Sequence, residues 1–234
     1  MFPRAAAGRR YSRRTDCAEG GDTVSDDNSA RFTRKGLAVR KRIVDTTAEL
    51  MFEHGVEGTS LEDVRSTAGV SGSQIAHYFD DKRDLTRQVI AARRDDVRRF
   101  HTQPELGALD SIESLQAWAD ACVAEVDNVY RRGGCIYGSL AGELLEADEQ
   151  IHDDLAAGYD LWIDLFHAGL TAMRQRGDLR AEADPRHLAV ALVTAHQGGA
   201  MLTYATGSAE PLRVAVHAAV DYVRSFAPRR RRRS

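Results

Sequence analysis

Residues 60–79 read SLEDVRSTAGVSGSQIAHYF, and their punctuation spells two short helices with a sharp turn between them. Ser60 stands at an N-cap position, and Asp63 three residues on completes a capping-box-like start. Leu61, Val64 and Ala68 then share one apolar face. Gly69 stops this helix where φ > 0 is needed, and Val70 packs beneath the turn. Ser71 caps a second helix that carries Ile75, and Phe79 closes the unit. Such spacing is that of a helix-turn-helix, whose second helix can enter a major groove. The same spacing also fits an ordinary helical hairpin in a core.

The flanking sequence separates these readings. Upstream, residues 39–54 carry Ile43, Val44, Leu50, Met51 and Phe52 at helical spacing before Gly55 breaks the run. Downstream, Asp80-Asp81-Lys82-Arg83-Asp84-Leu85 opens a further helix acid-first, as the helix macrodipole favours. The ungapped stretch 43–85, IVDTTAELMFEHGVEGTSLEDVRSTAGVSGSQIAHYFDDKRDL, resembles the TetR family of one-component transcriptional regulators. The resemblance implies that Ser71, Tyr78 and Lys82 occupy DNA-contacting positions. It also exposes two departures: Gly72 stands where the family often has Lys or another polar residue, and Ala76 replaces a usual aromatic.

Residue chemistry gives its own account of DNA reading. The start of the second helix, residues 71–77, is the part that can reach base edges. There Gln74 can bond adenine bidentately, while Ser73 and His77 can donate or accept. Thr59 or Ser60 at a helix N-terminus, together with Tyr78 and Lys82, are the natural phosphate contacts. The candidate DNA-binding set is therefore Thr59, Ser60, Ser71, Gly72, Ser73, Gln74, His77, Tyr78 and Lys82. One such unit reads one half-site, so useful specificity implies a homodimer on a pseudo-palindromic double-stranded operator.

Composition sets the frame. Of 234 residues 43% are hydrophobic, enough for a small domain and a larger one, and no period-two run or Asn-Gly hairpin signal occurs. The expected fold is all-α: an N-terminal three-helix helix-turn-helix domain followed by a C-terminal helical ligand-binding and dimerisation domain. The net charge of −3 hides an asymmetry: residues 1–100 hold 19 Lys/Arg against 16 Asp/Glu, residues 101–228 hold 8 against 19, and the last six residues add five arginines. A nucleic-acid partner thus belongs at the N-terminal end. Three cysteines without paired spacing argue against a disulfide framework, and no apolar run is long enough to span a membrane, so a cytoplasmic location is expected.

The expected segments are a leader at 1–30, the DNA-binding domain at 31–80, a connecting helix at 81–103, a C-terminal domain at 104–227 and an Arg-rich tail at 228–234. The leader reads as a basic arm, a passive tail, or residues preceding the true start at Val24. In the connecting helix Leu85, Val89 and Ile90 should point inward and Arg93, Arg94, Arg98 and Arg99 outward. Further helices are expected at about 111–131, 135–146 and 148–176. The last two, at 185–206 and 208–226, carry small and apolar faces (Ala189, Ala191, Ala195, Gly198, Gly199, Ala200; Val214, Ala215, Ala218, Ala219, Val223) suited to pairing with a second copy. The family resemblance implies a four-helix bundle between such helices.

GCIYGSLAGEL (134–144) and HQGGAML (196–202) are similar to a Gly-Cys subgroup of TetR regulators whose corresponding segment lies near the effector cavity. That subgroup includes NemR, a sensor of electrophiles with a cysteine at the matching position, here Cys135. A reactive Cys135 needs a lowered pKa, from a helix N-terminus or from Arg131 or Arg132; otherwise it is a small buried hydrophobe. The other reading is a reversible apolar pocket for a small-molecule effector, with Trp118, Cys122, Cys135, Leu140, Glu143, Tyr159, Trp162, Phe166, His196, Gln197 and Met201 as candidate lining. Glu143 would suit a cation, or else cap or salt-bridge. The sequence holds no HExxH, P-loop, GxSxG or paired-Cys spacing, so neither an enzyme nor a cofactor or metal site is expected. A non-specific nucleic-acid binder using the terminal arginines is the remaining alternative.

Overall fold

Each expected stop is met by a local device in the computed structural model, which describes residues 32–144 and 148–228. The leader at 1–30 and the arginines at 229–233 lie outside them. Helix α1 (Arg34–His54) gives way at Gly55, and α2 (Leu61–Ala68) starts from a Ser60 N-cap. Ser60 Oγ accepts the Asp63 N–H (3.1 Å), and the Asp63 carboxylate accepts the Ser60 N–H (2.9 Å), satisfying two donors that the helix start leaves open. Gly69 closes α2 in the left-handed region (φ 61°, ψ 46°), which a side chain would strain. A second capping box, Ser71 with Gln74, starts α3 (Gly72–Tyr78). Ile43, Met51, Val64, Val70, Ile75, Phe79 and Leu85 form the core beneath this turn.

From an Asp81 N-cap, α4 (Lys82–His101) runs 20 residues. Leu85, Val89 and Ile90 are buried as expected, but Arg93 is not outward. Its guanidinium is buried between Glu49 of α1 (2.8 Å) and Asp96 (3.1 Å), because two carboxylates there offset its desolvation.

A turn of 3-10 helix at Pro104–Leu106 leads to α5 (Ile112–Ala124). The single helix expected over 111–131 is instead interrupted by a π-helical segment, Val126–Tyr130, and a short α6 (Arg131–Gly133). Val126 and Tyr130 are its buried residues. Helix α7 spans Gly138–Leu144, so Cys135 precedes it rather than starting it. Asp148 caps α8 (Glu149–Arg176), and the Asp184 cap and Pro185 at N1 start α9 (Pro185–Thr206). Helix α10 (Glu210–Arg224) follows. No strand occurs among the described residues.

Part of the small-residue surface expected to face a second copy is used inside the chain. Gly199 lets α9 approach α10 so closely that a Cβ there would lie 2.9 Å from Leu212 Cα. Ala189, Ala200, Ala219 and Val223 are likewise buried. What α9 and α10 leave outside keeps Gly198, Val214 and Ala218 of the expected faces and adds Val190, Thr194 and Met201 on α9 and Tyr222 on α10.

Candidate DNA-reading face and effector cavity

The exposed face of α3 is short and mostly small. Ser71, Gly72, Ser73, Gln74, Ala76 and His77 are exposed, and Ile75 anchors the helix from beneath. A Cβ at Gly72 would touch nothing within 4 Å, so its surface is open backbone. Gln74 is partly committed, since its Oε1 accepts the Ser71 N–H at 2.8 Å and leaves its amide N–H groups to reach outward. Bidentate adenine recognition by Gln74 would therefore open the capping box. Ser73 Oγ lies 2.9 Å from Ser71 Oγ. The His77 and Tyr78 rings meet edge-to-face at 4.8 Å, and Tyr78 and Lys82 are half-buried at the junction with α4.

One member of the candidate set is misplaced. Thr59 is 2% exposed and its hydroxyl donates to the Gly55 carbonyl at 2.8 Å, so it braces the loop and Ser60 alone presents a hydroxyl at the start of α2.

A cavity of about 250 Å³ opens farther along the molecule. Its walls come from the last two turns of α4 (Asp96, Val97, Phe100, His101), from Glu125, Val129 and Tyr130 in and before the π-helical segment, and from Cys135, Ile136, Trp162 and His196. Cys135, Trp162 and His196 are thus brought together as the sequence suggested. Trp118 and Phe166 stand behind the wall, both packed on the His101 ring (6.4 and 5.4 Å). Tyr159 stacks parallel to Trp162. Gln197 Nε2 donates to Cys135 Sγ (3.4 Å), and Cys122 is buried beside Tyr130. Met201, 69% exposed, points away from the cavity into solvent.

Two buried histidines organise the polar atoms. His101 Nδ1 lies 2.7 Å from the Val97 carbonyl, which only accepts, so Nδ1 carries the proton. Its Nε2 then accepts from the indole N–H groups of Trp118 (3.1 Å) and Trp162 (2.8 Å). Burial holds its pKa down to about 4, so the ring is neutral at pH 7. His196 Nε2 pairs with the Tyr130 hydroxyl at 2.7 Å, while its Nδ1 is buried without a partner. Burial lowers the His196 pKa to about 3, and the neighbouring His101 adds to this. Sequence reading missed His101, Tyr130 and the α4 wall, since only the fold sets them opposite Trp162 and His196.

Glu143 does not face this cavity. Its Oε2 accepts the Val56 N–H at 2.6 Å, in the loop after α1. Arg132 pairs with Glu53 of α1 at 2.7 Å, so residues 130–143 tie the cavity wall to the end of that helix. Arg131 pairs with Asp127. Neither arginine that could lower the Cys135 pKa is therefore directed at it. Burial instead pushes that thiol up, against smaller opposing contributions from backbone N–H groups and Gln197.

Residues 43–89 match the model of bacterial regulatory proteins of the tetR family, and residues 111–219 match that of the tetracyclin repressor-like C-terminal domain. The chain belongs to the TetR family. As a TetR-family protein it is a DNA-binding transcriptional regulator and not an enzyme. Similar relatives include the HTH-type transcriptional repressor DhaR of a Mycobacterium species, 22% identical over 74% of this chain and 86% of that protein. The repressor KstR2 of Rhodococcus jostii is 24% identical over 70% and 78%. In fold, a TetR regulator from Chloroflexus aurantiacus superposes with TM-score 0.73 at 23% identity, covering 83% of this chain and 98% of that one. Reduced Escherichia coli NemR superposes at 0.68 with 20% identity, covering 82% and 97%.

Proposed function

We propose that this TetR-family regulator is a repressor that binds a pseudo-palindromic operator as a homodimer and is released by a small-molecule effector. One observation carries the reading: α4 starts directly behind the recognition helix at Lys82 and ends in the cavity wall at Phe100 and His101. A molecule in the cavity therefore touches the helix that also carries the DNA-reading unit. Release follows if the effector binds better to the conformation whose recognition helices no longer fit adjacent major grooves.

In this reading Ser71, Ser73, Gln74 and His77 address base edges, while Ser60, Gly72, Tyr78 and Lys82 address the phosphate backbone. Residues 31–80 bind DNA, residues 81–103 connect, and residues 104–227 bind effector and partner. The uncharged exposed stripe of α9 and α10 supports pairing with a second copy, and the likeness to the repressors DhaR and KstR2 supports repression. Release works through the reversible cavity rather than through thiol chemistry, because Cys135 is buried with its pKa raised. Selection of bound sequences from a random duplex pool tests the operator claim. Enrichment of an inverted repeat with half-sites about one helical turn apart (~34 Å) supports it. A pool that stays random after repeated rounds sinks it.

A further inference from the structure

We propose that the cavity takes an uncharged aromatic compound of one or two rings bearing a hydroxyl group, held by that hydroxyl at His196. This rests on the effector reading above and names the chemistry of its ligand.

Size comes first. A cavity of about 250 Å³ exceeds the roughly 150 Å³ that admits benzene, and leaves room for two fused rings but not for a four-ring skeleton. Shape and polarisability come second. Phe100, Tyr130 and Trp162 supply rings, and Val97, Val129 and Ile136 supply aliphatic surface, which favours an aromatic body packed edge-to-face.

Charge decides the class. Among the described residues no Lys or Arg lines the cavity. His101 has its proton on Val97 and its lone pair taken by two indoles, so it offers a ligand nothing. Asp96 is already held by Arg93 and Arg99, and Glu125 at the wall is half-buried and would repel an anion. With no cation in the wall an anion would be buried unpaired, and with Asp96 already neutralised an amine could answer only Glu125 at the rim, so an uncharged ligand is preferred in the body of the cavity.

Polarity fixes the functional group. Among the described cavity-lining residues, His196 Nδ1 is the one buried side-chain polar atom without a hydrogen-bond partner; it has almost no surface on the empty cavity, so a ligand hydroxyl meets it on a turn of the imidazole. The Tyr130 hydroxyl can either donate to or accept from Nε2, so Nδ1 is free to be acceptor or donor in turn. A ligand hydroxyl answers both tautomers. An ether or a bare hydrocarbon does not.

The test uses the full chain and four probes of one size: 2-naphthol, naphthalene, 2-naphthoate and 2-naphthylmethylamine, titrated by calorimetry and by tryptophan fluorescence, with Trp162 in the wall. Expected is binding of 2-naphthol at least tenfold tighter than of the other three, with the preference over naphthalene falling to near parity in His196→Phe. If that variant fails to fold, Val129→Trp, at the half-buried edge of the cavity, should abolish binding of all four probes while the melting curve stays cooperative. Tighter binding of the carboxylate or the amine overturns the charge assignment. Equal binding of naphthol and naphthalene overturns the role of His196, and no binding by any probe overturns the site. Operator binding followed in the same titrations separates the two claims: 2-naphthol that binds and leaves the operator complex intact contradicts release, not the ligand class.

Discussion

At the scale of residues, the two buried histidines make the chain's stability depend on pH. Both have pKa values held below the usual 6.5, to about 4 for His101 and about 3 for His196. Between those values and 6.5 the unfolded chain binds more protons than the folded one, so stability is full above pH 6.5 and is lost as pH falls. By pH 5 the loss is about 2 kcal/mol for each histidine. Urea midpoints at pH 7.5 and 5.0 measure it, and His196→Phe should remove about half of the difference; a flat profile would contradict buried neutral rings. Ser71 bears on both fold and reading. Removing its cap in Ser71→Ala should cost about 1 kcal/mol of stability and weaken operator binding, read by denaturation and by anisotropy. Ser60, Gly69 and Ser71 were legible in the sequence because a cap and its partner lie three residues apart. His101 was not, because its partner Trp162 is 61 residues away, and Thr59 was misjudged because a hydroxyl beside a helix start looks the same whether it faces solvent or the loop behind it.

At the scale of elements, the segment between the π turn and the end of α7 is the part that periodicity described least well. The helix expected over 111–131 is interrupted by the π segment, which the apolar pattern does not mark, because Val126 and Tyr130 stand four residues apart and share a face of a regular α-helix just as well. Glu143 likewise looked like a polar group on an apolar helix, which left its partner, the Val56 N–H 87 residues away, unknowable. With that bond in place, Glu143→Ala strands the Val56 N–H and should cost about 1–3 kcal/mol. Glu143→Gln, which keeps an acceptor, should recover most of this in the same denaturation experiment. Identical midpoints for Ala and Gln would show that the bond contributes nothing.

At the scale of the whole molecule, the order of helices and the all-α class were readable because each boundary carries its own signal: Gly55, Pro104, Asp184-Pro185. The assembly was only half readable. Small residues on α9 and α10 marked a close packing, but Gly199 and Ala219 serve contact within the chain, and the sequence has no mark to tell inner from outer faces of two helices that both bear alanine. The outer stripe makes the prediction. Met201→Glu with Val214→Glu places charge on it and should convert a dimer into a monomer in sedimentation velocity, with operator affinity falling at least tenfold. A dimer that persists would locate the interface elsewhere.

The central claim, that α3 reads sequence rather than merely meeting phosphate, is tested most directly by fluorescence anisotropy. The full chain is titrated onto DNA from upstream of its own gene and onto a scrambled duplex, each across a salt series. Tight binding to the first that survives competitor and moderate salt is expected, with weak, steeply salt-dependent binding to the second. Equal affinities that collapse together as salt rises would contradict it, leaving phosphate attraction as all that the exposed Ser71–Gly72–Ser73 surface provides.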